Sequence, residues 1–188
     1  ADVGLRYEHR RGDTRFALSG ASFLTYVASD SVFEPSEGLF ESVGATRRVG
    51  GVIAAELDAW DVLHARASFT GARATLLEAP EPSAEDPSPA YHTGQLVPYV
   101  APIVVRAEAG AEHPLARIRG HELRGSIGLG LSYVGRRPMP YSTWSPAFAL
   151  LDAQASLSYG AIEIGVSAQN LAGVRYAAAE QYFVSNWD

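Results

Sequence analysis

Strict alternation of polar and apolar side chains over short stretches is the property of this sequence that most limits its fold. In Ala161-Ile162-Glu163-Ile164-Gly165-Val166-Ser167-Ala168-Gln169, the residues Ile162, Ile164, Val166 and Ala168 share one side. Glu163, Gly165, Ser167 and Gln169 share the other. Successive side chains of a β-strand point to opposite faces, so a period of two describes a strand that is wet on one side only. The same period recurs. Leu123, Ile127, Leu129, Leu131 and Tyr133 oppose Arg124, Ser126, Gly128, Gly130 and Ser132. Leu151, Ala153, Ala155, Leu157 and Tyr159 oppose Asp152, Gln154, Ser156 and Ser158, and Leu63, Ala65, Ala67 and Phe69 oppose His64, Arg66, Ser68 and Thr70. In a soluble protein the apolar side meets a core; in a transmembrane barrel it meets lipid while the polar side lines the lumen.

Eight strands are predicted, near 2–9, 15–28, 43–58, 62–76, 99–111, 122–135, 147–159 and 161–171. The second is the least regular, because Ser22 and Phe23 blur its faces. Their connections alternate in length. Short turns are expected at Arg11-Gly12-Asp13, Ala59-Trp60-Asp61 and Tyr159-Gly160-Ala161, and long loops at 29–42, 77–98 and 136–146. The segment 112–121 is intermediate and breaks the pattern. Short turns on one side and long loops on the other are the habit of outer-membrane barrels. Tyr26, Tyr133, Tyr141 and Trp144 fall near long-loop ends and Trp60 and Tyr159 near short turns, as two interfacial girdles require. Alternation also keeps Glu163 and Arg124 off the apolar side, where mid-membrane Arg costs about 2–4 kcal/mol.

Composition narrows the classes further. The 188 residues are 47% hydrophobic with no apolar run near the roughly 20 residues of a membrane helix. Cysteine is absent, which removes disulfides and thiolate chemistry. Net charge is −6, all fifteen basic residues are Arg, and no basic stripe is present, so nucleic acid is not an expected partner. No signal peptide precedes the first strand, so a membrane location requires processing or truncation upstream. Both ends of the strand array fall on the long-loop side, whereas a complete bacterial barrel begins and ends in the periplasm. The expectation is therefore an interior stretch of a larger barrel, with open edges that neighbouring strands must cover.

No catalytic constellation is visible, and no enzyme activity is expected. His9, His64, His92, His113 and His121 are scattered without metal-ligand spacing, so no metal and no cofactor is expected. No Gly-x-Ser-x-Gly elbow occurs. The glycines of Gly125-Ser126-Ile127-Gly128-Leu129-Gly130 lie inside an alternating strand with no helix to receive phosphate. Lumen-facing or plug-contacting candidates are Arg48, Glu56, Arg66, Arg106, Glu108 and Arg124, since mixed Arg and carboxylate rows line aqueous paths or anchor a plug. The run Thr46-Arg47-Arg48 is expected to face loop and lumen, with Arg paired to wall carboxylates. The loop 77–98, with Glu78, Glu81, Glu85 and Asp86 among its prolines, is expected to be solvated. Asn170 and Gly173 suit left-handed backbone where a strand leaves the ladder, and Pro98, Pro102 and Pro114 suit strand starts or turns.

These strands carry a family resemblance. Residues 41–52, with Gly44, Thr46 and Arg47, resemble a descending strand of the TonB-dependent outer-membrane receptors, patterned N-x-G-x-T-R-x-x-G-V-E. Residues 94–102, with Pro98 and Pro102, resemble the family's approach to the next descending strand. Residues 132–138, with Tyr133, resemble the end of an ascending one. Residues 148–153, with Asp152, and residues 166–176, with Asn170, Leu171 and Tyr176, complete five motifs in the family's order. Ile53 or Ala54 stands where the family usually has Glu, and Ala172 where it usually has Phe. The resemblance implies the C-terminal part of such a barrel without its plug domain and final strand, an antiparallel transmembrane sheet that is open as an isolated chain. It implies a bacterial outer-membrane location and, for the whole receptor, import of a scarce nutrient such as a siderophore–iron complex or cobalamin. The implied partners are outer-membrane lipid, the plug domain, the remaining strands, the TonB complex and the small-molecule nutrient. Two rival architectures are a small stand-alone barrel or pore, whose interior Gly128, Gly130, Ser132 and Ala54 fill poorly, and a soluble β-sandwich that binds ligand.

Overall fold

The structure is a computed structural model, and it describes residues 1–34, 39–78 and 91–177. The described residues are all-β and contain no helix. In chain order the strands are β1 (Asp2–Arg11), β2 (Thr14–Glu34), β3 (Leu39–Ala59), β4 (Leu63–Leu76), β5 (Ile103–Ile118), β6 (His121–Val134), β7 (Arg137–Pro138), β8 (Trp144–Ser145), β9 (Phe148–Tyr159) and β10 (Ile162–Ala168). Eight of them form one antiparallel sheet in the order β1-β2-β3-β4-β5-β6-β9-β10, and β7 pairs only with β8. Every neighbour in the large sheet is a sequence neighbour once that small hairpin is set aside. The sheet is open: β1 and β10 are its two edges, and every residue of both is exposed. Among the described residues no second large sheet packs on it, which a sandwich requires.

Apart from β10, which ends at Ala168 and not at residue 171, strand ends differ from the sequence expectation in three places, each for a local reason. Residues 29–42 were expected to form a long loop, but β2 continues to Glu34 and β3 begins at Leu39. The pairing survives there because irregularities between Val27 and Ser31 absorb a change of register, with Gly44 at φ +78°. Residues 112–121 are not an intermediate loop. They are the end of β5, the two-residue turn Arg119-Gly120 and the start of β6; both turn residues take positive φ, the geometry that matches strand twist in a tight hairpin. This turn joins those at 12–13, 60–62 and 160–161 and completes the short-turn end of the sheet. Finally, β5 starts at Ile103, not at residue 99. Ahead of it, residues 94–102 lie along the upper part of β4, which β5 does not reach. Val97 N donates to the Ala74 carbonyl, Leu76 N to that of Gln95 and Ala72 N to that of Pro102, at 2.8–2.9 Å.

That added segment covers the one hydrophobic cluster of the described residues. Tyr91, Val97 and partly buried Tyr99 and Val100 pack on Val32, Val43, Ala74 and Leu76, and Tyr91 is 1% exposed. Burying an aromatic of this size explains why 91–100 is held down although it is polar and proline-bearing on either side. Of the acidic loop residues, Glu81, Glu85 and Asp86 lie outside the described residues.

The irregular faces of β2 also have a physical cause. Phe23 lies on the polar side, opposite Gly50, and its ring tip sits 2.7 Å from where a Gly50 Cβ would be. The aromatic ring thus fills the space that a side chain on β3 would take. Pro98 sits in a turn and Pro102 precedes β5. Pro114, in contrast, is inside β5, where a register shift between Pro114 and Ala116 spares the ladder a missing donor.

Candidate functional site

Because pairing fixes facing, the register assigns each strand residue to one of two sides. One row crosses seven strands: Glu8, Ala17, Glu56, Arg66, Glu108, Gly130 and Asp152 are successive partners. The next row on the same side runs Arg6, Ser19, Ala54, Ser68, Arg106, Ser132 and Leu150. All six lumen candidates, Arg48, Glu56, Arg66, Arg106, Glu108 and Arg124, therefore lie on this polar side. Four of them come together: Glu56, Arg66, Arg106 and Glu108 line a hollow of ≈ 480 Å³ with Ser68, Ser132 and Asp152. Arg48 and Arg124 stand apart, towards the long-loop and short-turn ends respectively.

Ion pairs knit this side. Arg66 Nη1 lies 3.7 Å from Glu108 Oε1 across β4 and β5. Arg124 contacts Glu112 at 2.8 Å and Glu122 at 3.1 Å. Of the densest group, only Glu56 was among the sequence candidates. Arg15 reaches Glu8 at 2.8 Å, Asp58 at 3.3 Å and Glu56 at 3.8 Å, tying β1, β2 and β3. Its signal in the sequence is the same-side spacing of Arg15, Ala17 and Ser19, which Phe23 obscured. Pairs this exposed are screened by water, so they order the wall more than they stabilise it. His64 lies on the same side, its ring against Gly110. Among the described residues no group of acids and imidazoles is arranged to hold a metal ion.

At the long-loop end, Asp30 Oδ2 accepts hydrogen bonds from Thr46 Oγ1 at 2.7 Å and Arg48 Nη2 at 2.6 Å. Thr46 is fully buried. Burial acts to raise the Asp30 carboxyl, but the hydrogen bonds from Thr46 and Arg48 and the nearby positive charge outweigh it and hold the group below its ordinary value. Of the run Thr46-Arg47-Arg48, only Thr46 and Arg48 share the polar side. Arg47 is exposed on the opposite side, in register with Tyr26.

The other motif positions have structural roles. Asp152 Oδ1 accepts the Asn170 backbone N–H at 2.8 Å, and Asn170, at φ +52°, clips its own turn by bonding Val174 in both directions at 2.9 Å. Leu171 N donates to the Leu151 carbonyl, and the Tyr176 ring stacks on Phe148 at 4.7 Å. Gly173 has φ +61°, as its position in that turn requires. Gly44 is irreplaceable by space as well as by φ, since an added Cβ would meet the Glu78 carbonyl oxygen at 2.6 Å. Tyr133 lies on the apolar side, paired with Val105 and Ala149.

That opposite side is apolar over most of its height. Its rows include Leu5, Gly20, Ile53, Phe69, Val105 and Tyr133, and then Tyr7, Leu18, Ala55, Ala67, Ala107, Leu131 and Leu151. Leu5 is 83% exposed, Ile164 72% and Val3 71%. Each strand thus separates charge from apolar surface, and the sheet sums that separation into two faces. No protein-family profile matches the chain, and neither a curated protein nor a solved structure matches it.

Proposed function

We propose that this chain is a wall segment of a large outer-membrane β-barrel of the TonB-dependent receptor kind. The observation that carries the reading is the exposed apolar face: among the described residues, one side of an eight-stranded sheet bears large hydrophobic side chains with nothing packed on them, while the other bears the ion pairs. Exposed apolar area of this extent needs a non-aqueous neighbour. A bilayer supplies it on one side of a barrel wall and leaves water or a plug on the other. The segregation of short turns to one end and the order of the five sequence motifs support the same reading.

In this proposal β1 and β10 pair with further strands of the same barrel, because unpaired backbone groups are not tolerated in hydrocarbon. The polar side, with Glu56, Arg66, Arg106 and Glu108 around its hollow, contacts a plug domain in the lumen. The ends of β2 and β3 beyond their irregularity and residues 91–100 stand in the external medium. Uptake of a scarce nutrient such as an iron chelate or cobalamin, driven through TonB, belongs to the whole receptor. The chain itself contributes wall and outer loops, not catalysis.

Single-cysteine scanning tests the reading cleanly, because the chain has no cysteine of its own. Along β6 of the whole barrel refolded into vesicles, cysteines at Leu123, Ile127, Leu129 and Leu131 are expected to react only with lipid-soluble reagents. Those at Arg124, Ser126, Gly128 and Gly130 should react with water-soluble ones. Uniform access to water-soluble reagents at every position would overturn the membrane assignment. Import is tested separately, by uptake of labelled ferric chelate or cobalamin in cells expressing the whole receptor with and without TonB.

A further inference from the structure

Charge on the apolar side is restricted in kind as well as in place. Within the regular ladder, from the short turns up to the β2–β3 irregularity, every carboxylate lies on the polar side: Asp2, Glu8, Glu56, Asp58, Glu108, Glu112, Glu122, Asp152 and Glu163. The apolar side carries three formal charges in that ladder, and all are arginines. Arg11 stands at the short-turn margin, and Arg47 and Arg73 stand together at the long-loop margin. Val49 opposes Arg73 and Thr75 opposes Arg47, so the two guanidinium-bearing residues are diagonal neighbours on β3 and β4. Tyr26 opposes Arg47 from β2 and is 63% exposed. Directly below them the surface is uncharged, through Leu24, Val49, Ile53 and Phe69.

Two neighbouring arginines on one face would repel unless something between them carried negative charge. No carboxylate of the ladder is on their side, and Asp30 is engaged by Arg48 on the other. From this placement we infer that Arg47, Arg73 and Tyr26 form a docking surface for the phosphate of a membrane lipid headgroup at the long-loop rim of the apolar band. Arginine is suited to the task, since its planar fork binds phosphate oxygens in pairs and its stem lies along apolar surface. An interfacial tyrosine beside it places its ring at headgroup level. The inference rests on the membrane reading above.

The test uses the whole barrel, with this chain in place between its neighbouring strands, refolded into phosphatidylcholine vesicles and into vesicles in which one lipid in three is phosphatidylglycerol. Insertion, read by protease protection, reports the membrane reading. The ratio of binding to the two vesicle types reports the headgroup surface. A preference for the anionic vesicles of about tenfold or more is expected, because each arginine near such a surface strengthens binding about fivefold. R47Q/R73Q should remove most of that preference and R47K/R73K, which keeps the charge but not the fork, should keep only part of it. The charge-matched pair R10Q/R117Q, on the polar side, should leave it unchanged. Inorganic phosphate should lower the preference no more than sodium chloride of equal ionic strength. Insertion with no loss of preference in R47Q/R73Q overturns the inference and leaves the membrane reading standing. Specific competition by inorganic phosphate assigns the arginines to a free anion instead and also overturns it. Failure to insert into either vesicle overturns both.

Discussion

At the scale of single residues, the most consequential side chains hold strands in register where the ladder is irregular. Asp30 sits at the β2 irregularity, and Thr46 and Arg48 bind it from β3. Removing either donor leaves a mostly buried carboxylate short of partners. R48Q is expected to weaken this hairpin locally by about 1 kcal/mol, since Arg48 itself is half exposed and screened by solvent. Amide hydrogen exchange across residues 25–34 and 39–48 reads that loss, and T46V should act in the same direction. The sign of the pH effect follows from the depressed Asp30 carboxyl. Its contribution is fully present above the unfolded carboxylate value of about 3.9 and is lost as the pH falls through the lower folded value. The protection factors in this hairpin, corrected for the intrinsic exchange rate, should therefore fall on acidification below about pH 4, and D30N should abolish that acid-dependent step. Asp152 is the second such residue. D152A leaves the Asn170 N–H without its acceptor and should raise proteolysis within 169–177, while leaving β6–β9 pairing intact.

At the scale of elements, turn chemistry decides where strands stop. The β5–β6 hairpin closes through Arg119 and Gly120, both at positive φ. Asn accepts that conformation more readily than Arg, so R119N is expected to stabilise the hairpin by a few tenths of a kcal/mol up to about 1 kcal/mol. G120V forces a β-branched residue into the same region and should cost about 1–3 kcal/mol. Refolding yield and exchange at residues 112–126 measure both. This hairpin also shows what alternation alone misses. The period of two is clear in β6 and in the first half of β5, but Pro114 and the bulge after it break the pattern, so 112–121 reads as a loop. The bulge rescues the strand by dropping Leu115 over Gly125, a contact between residues on different strands. Similarly, β2 looks irregular because Phe23 is matched to a glycine on β3, and no inspection of β2 by itself finds that partner.

For the whole molecule, the two-faced sheet makes opposite predictions for adjacent residues. Leu131 and Ser132 neighbour each other in β6 but lie on opposite sides. In lipid vesicles L131R should cost about 2–4 kcal/mol and S132R far less, read as the shift in the refolding midpoint. Equal effects would argue against a lipid-facing side. The strand lengths add a further contrast. β2 and β3 have 21 residues each, about 70 Å of extended chain, where crossing a bilayer takes roughly 9–11 residues. About half of each therefore stands clear of the charge-free band, and it is there that Tyr91 and Val97 close the small core.

Alternation along the chain was enough to read the fold class, the number of strands in the large sheet and the side on which the six charged candidates lie. It could do so because side-chain direction in a strand repeats every two residues and needs no partner to be read. Tertiary structure alone decided which charges meet. Arg15 on β2 joins Glu8 on β1 with Asp58 and Glu56 on β3, Asp152 caps Asn170 across a hairpin, and Arg47 stands beside Arg73 with no acid of the regular ladder on their side. These contacts depend on the register between strands. Register is a sum of turn lengths and bulges over the whole sheet, and a shift of one residue at any of them would send every side chain beyond it to the other face.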